Sequence, residues 1–417
     1  MHEDKDTQPH NIHLAVENFG PIEKAEIDLR PLTVFVGESN TGKTYLAALI
    51  YALHPSFEGS AKWQQPQEEP NLKLGKIFGY ELKECFNLKS VSELKRFTDN
   101  LSDKLSISLK VCYDSRSALE MDWTCDSKHV GSAKISTVFN EKLKIKESEM
   151  LWHRKNQKKL AVYYIPAARR GIMLTYETFA NLLVADKINF SFERIRISKW
   201  ISDFLMQIIH YDEHKTSSNE MLNIAKALEN EVIHGKIEVN RPAEVAYPEI
   251  FYRPQNTKEK LQINHTSSMV SELAPLVLFL RGVVKRGDTL IIEEPESHLH
   301  PKAQTKVAIA LARLVRAGVR VIITTHSDWL LQQIGNLIRE GELNKQEQDK
   351  SELPHWLSKE EVGAWWFHTD KPVQEIPYDR IEGIEPKDYE DVADGLYNNF
   401  VELERQFLKE EAVSEDE

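Results

Sequence analysis

The stretch VFVGESNTGKTYLAALI, from Val34 to Ile50, decides the fold class of the chain. It opens with an apolar run typical of a buried strand and closes with one typical of a helix. The loop between them reads G-x-x-x-x-G-K-T, and its two glycines let the backbone curl so that successive N–H groups face one anion. The helix that follows, roughly Lys43 to Leu53, directs the positive end of its dipole at the same point. We therefore predict a phosphate-binding loop that consists of Gly37, Glu38, Ser39, Asn40, Thr41, Gly42, Lys43 and Thr44.

The bulk composition argues against several classes of protein. The 417 residues are 41% hydrophobic and 28% charged, which is typical of a globular chain with two or more cores. No run approaches the roughly 20 apolar residues of a membrane span, and the polar start MHEDKDTQPH does not resemble a signal peptide. Cys85, Cys112 and Cys125 have no metal-site spacing, which favours a reducing cytoplasm. A net charge of −12 argues against a general nucleic-acid coat.

A second apolar strand, TLII, ends in two adjacent carboxylates, Glu293 and Glu294. Open α/β sheets bind ligands at the carboxyl ends of their parallel strands, so both acids are expected beside the phosphate loop. There Lys43 would reach the β- and γ-phosphates, and the Thr44 hydroxyl would ligate Mg²⁺. Glu293 would hold the Mg²⁺ hydration shell and Glu294 would polarise the attacking water, which is much of what phosphoryl transfer requires.

A third apolar strand, IITT, ends directly at His326, which can donate a hydrogen bond to a γ-phosphate. A lone histidine is more often a structural residue, but this one completes an ordered series of phosphate loop, acidic strand and strand-tip histidine. His298 and His300 in HLHP lack a third ligand at a usual spacing, so we do not interpret them as a metal site.

Five segments together resemble one family of ATPases. They are VENFGPIEKAEIDLRPLTVFVGESNTGKT (Val16–Thr44), YYIPAARRG (Tyr163–Gly171), SSMVSEL (Ser267–Leu273), IIEEPESHLHP and IITTHS. The chain resembles the ABC-type ATPases of the RecF and SMC kind, and most closely the AAA-labelled subgroup related to the overcoming-lysogenization-defect proteins, without their Toprim nuclease domain. The later stretch EDVADGLYNNF is similar to the C-terminal helix of that family.

The resemblance implies an α/β fold, namely an ABC-type (RecF/SMC-like) P-loop ATPase head with a short helical insertion. It implies ATP and Mg²⁺ as cofactors, and a homodimer in which Ser267 and Ser268 of the signature motif complete the nucleotide site of the partner chain. Met269 stands where the family usually has a glycine, and Glu293 stands where it often has an aspartate. No Q-loop glutamine is evident, and Arg169 is a weak substitute for it.

The same resemblance divides the chain into lobes. ATPase lobe I is expected over residues 1–171, with a β-rich elaboration from about 56 to 160, and a helical insertion over residues 172–235. Lobe II, with the signature, the acidic strand and the switch histidine, is expected over residues 236–400, and an acidic tail over 401–417.

Two local patterns add detail to this division. The insertion contains about two helices, which at about 1.5 Å per residue would give a projection of about 40 Å. Near the C-terminus, Val392, Leu396 and Phe400 have the spacing of a packing helix. The segment WHRKNQKKL has an aromatic residue beside a basic run that could contact nucleic acid, although a solvated loop is the better interpretation.

Three roles are compatible with such an ATPase. The first is a sensor or regulatory ATPase of a bacterial anti-phage or toxin system, which controls a separately encoded effector. The second is a DNA repair or DNA-binding ATPase like RecF and SMC, which requires a basic face on the dimer. The third is a self-contained nuclease, which is disfavoured because no D-x-D cluster follows His326. Fold-level analogy favours the first role, with nucleic acid as a further candidate partner.

Overall fold

The computed structural model describes residues 11–57, 70–95, 104–112, 118–125, 161–185, 197–212, 218–242, 245, 247–343, 354–369, 371–386 and 394–407. The basic run at 152–160 and the end of the predicted acidic tail, 408–417, lie outside the described residues, as do parts of the predicted elaboration and insertion. The strands are β1 Asn11–Phe19, β2 Ile22–Leu29, β3 Leu32–Gly37, β4 Leu105–Cys112, β5 Ala118–Cys125, β6 Val162–Ile165, β7 Gly235–Asn240, β8 Glu249–Pro254, β9 Leu261–Gln262, β10 Thr289–Glu293, β11 Arg320–Thr325, β12 Val362–Phe367 and β13 Gln374–Ile376. The helices are α1 Lys43–Phe57, α2 Pro70–Phe86, α3 Arg169–Ala185, α4 Lys199–Ile209, α5 Asn219–Leu228, α6 Ser268–Gly282, α7 Pro301–Arg316 and α8 Asp328–Leu343, with a further C-terminal helix over residues 394–407.

A six-stranded sheet in the order β13-β12-β3-β11-β10-β6 forms the centre of the molecule, and its strands are parallel except for β13. The strands LTVFVG and RVIITT are buried at every position, as expected of a parallel sheet that is covered on both faces. Val34 and Val36 face one core, which includes the apolar sides of α6, α7 and α8, whereas Phe35 faces the other core with α1. The predicted α/β fold is confirmed.

An antiparallel sheet in the order β2-β1-β4-β5 packs in the same core as α1. Its last two strands lie in the region where the sequence predicted a β-rich elaboration, but the same region also contains helix α2, which the sequence interpretation missed. Helix α2 buries Phe78, Leu82 and Cys85 in this core. The antiparallel sheet and α2 therefore support the helix that follows the phosphate loop.

The predicted helical insertion differs from the structure in number and placement. Its described residues hold most of α3 and all of α4 and α5, which makes three helices rather than two. Their apolar sides are buried in the core that also contains α6, and Phe204 of α4 stacks on Phe279 of α6 with ring centroids 5.7 Å apart. The expectation of a 40 Å projection was wrong for these described helices, because their apolar stripes face the ATPase core.

The C-terminal region differs from the sequence interpretation in one respect. Strand β12 (VGAWWF) packs into the sheet, and its Trp365 is 5% exposed. The stripe in the C-terminal helix was predicted to pack, but Leu396 is 67% and Phe400 61% exposed. Val392 lies outside the described residues. Within the part of the chain that the structure describes, no helix is long and apolar enough to cross a membrane.

A candidate phosphate site at the carboxyl edge of the sheet

The predicted phosphate loop joins the end of β3 to the start of α1. Gly37 has φ +137°, and a Cβ there would lie 2.0 Å from the carbonyl oxygen of Phe367 in the neighbouring strand. Gly42 has φ +104°, and its Cβ would lie 2.5 Å from the Ile22 side chain. Both positions require glycine because a side chain would be strained and would clash. The close approach to β12 and β2 fixes the loop against the two sheets.

Lys43 is the buried cation of this loop, with only 6% of its surface exposed. Its Nζ donates to the carbonyl oxygen of Gly37 at 2.8 Å and also to that of Glu38. Burial lowers the pKa of Lys43 to about 8, although the charges of Glu294, Glu296 and Glu38 oppose this shift. The amine is therefore held inside the loop, where it lacks part of the solvation that stabilises its positive charge.

The other loop residues divide into one buried hydroxyl and an exposed rim. Thr41 is buried, and its Oγ1 donates to the Glu38 carbonyl at 2.8 Å. Ser39, Asn40 and Thr44 are exposed, and Asn40 has a left-handed backbone with φ +64°. The Thr44 hydroxyl is therefore open to a ligand that binds above the loop.

The two carboxylates at the end of β10 occupy different environments. Glu293 is buried, and its Oε2 accepts a hydrogen bond from the Ala167 N–H at 2.9 Å. Its Oε1 is also buried. The carboxylate hydrogen-bonds to the Tyr164 hydroxyl, whose pKa is raised by burial and by the Glu293 charge. Glu293 is thus held at the strand end by the Ala167 N–H and by Tyr164.

Glu294 begins the loop after β10 with a left-handed backbone at φ +42°. Its N–H donates to the Thr324 carbonyl at 2.8 Å, and its Oε2 accepts from the Ser297 hydroxyl at 2.8 Å. A side chain in this backbone region costs about 1–3 kcal/mol and persists only where neighbouring contacts impose it. The side chain is 38% exposed, so water can reach the carboxylate that these contacts orient.

His326 connects the acids to the phosphate loop. Its Nε2 lies 3.8 Å from Glu294 Oε1, and its side chain also hydrogen-bonds to the backbone of Gly37. Burial and the positive charge of Lys43 lower the pKa of His326, while Glu294 and Gly37 oppose the change. The ring is therefore neutral at pH 7, in the form that can donate one N–H.

Two further residues contribute to this edge: Glu296, which the sequence interpretation gave no role, and Arg169, which it considered only as a weak substitute for a Q-loop glutamine. Glu296 is buried, and its Oε1 accepts from the Thr325 hydroxyl at 2.6 Å and from the His326 N–H at 2.8 Å. Arg169 is buried and donates to the carbonyl oxygens of Glu293 at 2.6 Å and Glu294 at 2.7 Å. Glu296, the third acid of IIEEPE, and Arg169, the first arginine of YYIPAARRG, are evident in the sequence. Neither residue type indicates that its partner lies on a different strand.

The signature residues lie at the start of α6. Ser267 is the exposed N-cap, and its hydroxyl accepts from the Val270 N–H at 3.4 Å. The Ser271 hydroxyl donates to the carbonyl oxygens of Ser267 and Ser268. Among the described residues, the hydrogen bonds of both serines remain within α6, so the single chain does not join them to its own phosphate loop. Met269 is partly buried and packs against the core.

The family model described as "AAA ATPase domain" matches residues 12–169 and 175–331 of this chain. Among solved structures, the chain is similar to an SMC head bound to the C-terminal winged-helix domain of ScpA, with 12% identity, a TM-score of 0.47, and coverage of 89% of this chain and 99% of that one. A Pyrococcus furiosus Smc head with an extended coiled coil, bound to the C-terminal domain of ScpA, has 11% identity and a TM-score of 0.43, covering 88% of this chain and 96% of that one.

The SMC head domain from Thermotoga maritima has 9% identity and a TM-score of 0.41, covering 89% of this chain and 99% of that one. No curated protein matches this chain. At these TM-scores the structural similarities carry no information on function.

Proposed function

The chain belongs to the AAA ATPase domain family, and from that premise we propose that it is a homodimeric switch that binds and hydrolyses ATP to control a separate effector. The observation that carries the chemical part is the convergence at one sheet edge. Lys43 and the His326 side chain both bond to the backbone of Gly37, and His326 lies 3.8 Å from the carboxylate of Glu294. This arrangement places a cation, a neutral donor and a base around the mouth of the phosphate loop.

Each group has a role in this proposal. The N–H groups of Gly37–Thr44 bind the phosphates, and Lys43 exchanges its carbonyl partners for the β- and γ-phosphate oxygens. Glu294 accepts the proton of the attacking water, and His326 exchanges its Gly37 backbone partner for the γ-phosphate, to which it donates its one N–H. Because these groups are already oriented by the sheet, little reorganisation is needed when the transition state forms.

The donor set fits Mg²⁺, which prefers oxygen ligands and keeps several of its waters. The carboxylate of Glu293 at the strand end and the hydroxyl of the exposed Thr44 would hold the ion or its hydration shell. When bound, the ion neutralises charge on the phosphates. The chain's own contribution is to keep the Glu293 carboxylate in place through the Ala167 N–H.

The proposed dimer uses the signature residues of one chain at the nucleotide site of the other. Ser267 is exposed at the N-terminus of α6, which is the end of a helix that favours an anion. The Met269 side chain packs on its own core, which leaves the approach to Ser267 and Ser268 clear of it. A two-fold dimer of this kind is closed by nucleotide and released by hydrolysis.

A mixing experiment tests this arrangement. The Lys43→Ala chain lacks a phosphate loop lysine, and a Ser268→Arg chain lacks a usable signature, so each should be inactive by itself. In a mixed dimer, the loop of the Ser268→Arg chain meets the intact signature of the Lys43→Ala chain, and hydrolysis should return. Wild-type hydrolysis without any recovery on mixing would contradict the two-chain site while leaving the ATPase assignment intact.

The regulatory part of the proposal assigns effector docking to the C-terminal helix. One side of this helix carries Leu396, Phe400, Leu403 and Phe407, which are 45–67% exposed. Its other residues include three acids, Asp394, Glu402 and Glu404, and one base, Arg405. The apolar sides of the insertion helices are buried, so they are poorer docking candidates. An exposed apolar stripe on an acidic helix suits a partner groove that is apolar and rimmed by basic residues.

Nucleic-acid cleavage by the purified chain separates this role from the nuclease interpretation. Metal-replete protein without a partner is incubated with plasmid, single-stranded DNA and tRNA, and we expect no cleavage. Cleavage that survives repurification and disappears on mutation of Asp391 and Asp394 would restore the nuclease interpretation. Strong stimulation of ATP hydrolysis by DNA would instead favour the repair-type role.

A further inference from the structure

One buried guanidinium connects three functional segments of the chain. Arg169 is 2% exposed, and its Nε donates to the carbonyl oxygen of Glu272 in helix α6 at 3.2 Å and lies 2.9 Å from Glu272 Oε2. Its Nη1 and Nη2 donate to the carbonyl oxygens of Glu293 and Glu294 at 2.6 and 2.7 Å. A further bond from Nη1 reaches the carbonyl of Pro166 in the turn before α3, at 3.2 Å. Arginine can make these contacts at once because its donors form a planar fork.

The carbonyl of Glu294 is the sensitive end of this connection. Glu294 has a left-handed backbone, and the direction of its carboxylate depends on the turn that Arg169 holds from the carbonyl side. The N–H side of the same residue is held by Thr324. A displacement of the guanidinium would therefore rotate the residue that the proposed mechanism uses as the base.

Glu272 is the other end of the connection that Arg169 makes. It lies on the second turn of α6, after the signature serines Ser267 and Ser268, and is 1% exposed. Its Oε1 also lies 3.7 Å from His298 Nε2, in the segment that follows the acidic strand. The start of α6 and the region around Glu294 are thus joined through a charged pair that is excluded from solvent.

We propose that the Arg169–Glu272 pair couples the two nucleotide sites of the dimer, by transmitting the position of the signature helix to Glu294 of the same chain. This inference rests on the proposed function, since α6 would contact the partner's nucleotide while Glu294 acts on the chain's own. Arg169 is a positioning residue, because it touches the backbone of Glu294 and not the reacting atoms.

A role in stability alone would not require a buried ion pair at this position. Replacing a buried ion pair by well-packed apolar side chains is often neutral or stabilising, so the pair is weak evidence of a stabilising device. Here the guanidinium donates to backbone carbonyls at the end of one catalytic strand and in helix α6, and it also lies against the Glu272 carboxylate. Coupling between sites can be carried by such a network of hydrogen bonds and ion pairs.

The experiment measures ATP binding, the ATP dependence of hydrolysis and thermal stability for wild type, Arg169→Lys and Glu272→Gln. The wild-type dimer should hydrolyse ATP with a Hill coefficient above 1. Both variants should bind ATP within about threefold of wild type, lose about tenfold in kcat, and show a Hill coefficient near 1, as expected for a lost coupling free energy. Lysine keeps the charge but lacks the fork, so it should not restore cooperativity.

Tyr176→Phe is the matched control. Tyr176 lies in the same helix as Arg169, is 1% exposed, and donates its hydroxyl hydrogen to the Pro248 carbonyl. This variant should lower the melting temperature while keeping kcat and the Hill coefficient. If Arg169→Lys does not fold, the near-isosteric Glu272→Gln alone decides the question.

The outcomes separate the two proposals. Variants that melt earlier but keep kcat and cooperativity would overturn the coupling and leave the ATPase switch in place. A wild-type chain that neither dimerises nor hydrolyses ATP would overturn the proposed function, and the coupling with it. A wild type that hydrolyses ATP with a Hill coefficient of 1 would overturn the coupling alone.

Discussion

The carboxyl edge of the main sheet and the C-terminal helix differ in which side chains they bury and which they expose. At the sheet edge, charged groups such as Lys43, Glu293 and Glu296 are buried and held by strands from both ends of the sequence. On the C-terminal helix, large apolar groups such as Leu396 and Phe400 face solvent. Burial of charge and exposure of apolar surface both cost free energy, so each points to a partner that the single chain lacks. For the sheet edge we propose a nucleotide, and for the helix a protein.

The largest expected effect is the loss of ATP binding in Lys43→Ala. The substitution removes the cation that lies inside the phosphate loop, and truncating one member of a buried charge pair costs about 2–5 kcal/mol. We expect ATP affinity to fall by at least about 100-fold in an isothermal titration. Affinity within a few fold of wild type would mean that the buried edge is structural, and the comparison with the exposed helix would lose its basis.

The two acids provide the next test, because their environments differ although they are adjacent. Glu294→Gln should bind ATP but lose about 100-fold or more in kcat, since it removes the proposed base. ATP should then trap a dimer that is visible by light scattering. Glu293→Gln should instead weaken the Mg²⁺-dependent part of ATP binding, because its carboxylate is the proposed ligand. Interchanged results would show that the ligand and the base are reversed.

The phosphate loop could be predicted because all its information is local. Gly37 and Gly42 are needed at positive φ, and Lys43 follows them directly. The strand-tip acids and His326 could also be located, since parallel strands present their carboxyl ends at one edge. Their roles stay predictions until variants are measured.

The Arg169–Glu272 pair that lies behind these residues could not be predicted, because its two members are distant in sequence. Arg169 and Glu272 are 103 residues apart, and neither residue type indicates the other. The prediction that the C-terminal stripe packs was wrong for a related reason. The spacing of Leu396 and Phe400 indicates that one side of a helix needs a partner, but not that the partner belongs to the same chain. For the insertion helices the error was the opposite. They were expected to project from the ATPase head, but their apolar sides pack in its main core.

The pH dependence of Lys43 gives a smaller effect with a definite sign. Its pKa is lowered to about 8 by burial, so the ligand-free loop loses its positive charge as the pH rises through that value. The ATP dissociation constant should rise about tenfold between pH 7 and 9. His326, whose pKa is also lowered by burial, remains neutral across this window and does not add to the change.

Stability should change in the other direction. Between pH values of about 8 and 10.5, the ordinary pKa of a lysine, the unfolded chain binds more protons at Lys43 than the folded chain does, so this group makes the free energy of unfolding rise with pH. Lys43→Arg provides the control, because arginine keeps its charge throughout. An affinity that is flat from pH 7 to 9 in wild type would show that the lysine in the loop is not perturbed.

The smallest effect on the isolated chain is expected at the helix, where Phe400→Glu and Phe407→Glu change side chains that are 61% and 65% exposed. Exposed substitutions usually change stability by less than about 0.5 kcal/mol, whereas truncating the 1% exposed Phe204 to alanine should cost about 3–5 kcal/mol. ATP hydrolysis by both glutamate variants should stay within about twofold of wild type, because the helix is not part of the sheet edge. Chemical denaturation and steady-state hydrolysis measure the two quantities.

Association with the effector, measured by co-purification of the co-expressed pair, should be lost in both glutamate variants, since a carboxylate in an apolar contact is left without a partner. A destabilisation above about 2 kcal/mol would instead mean that the stripe packs on the chain's own core, as the sequence suggested, and that the contrast between the two regions does not hold.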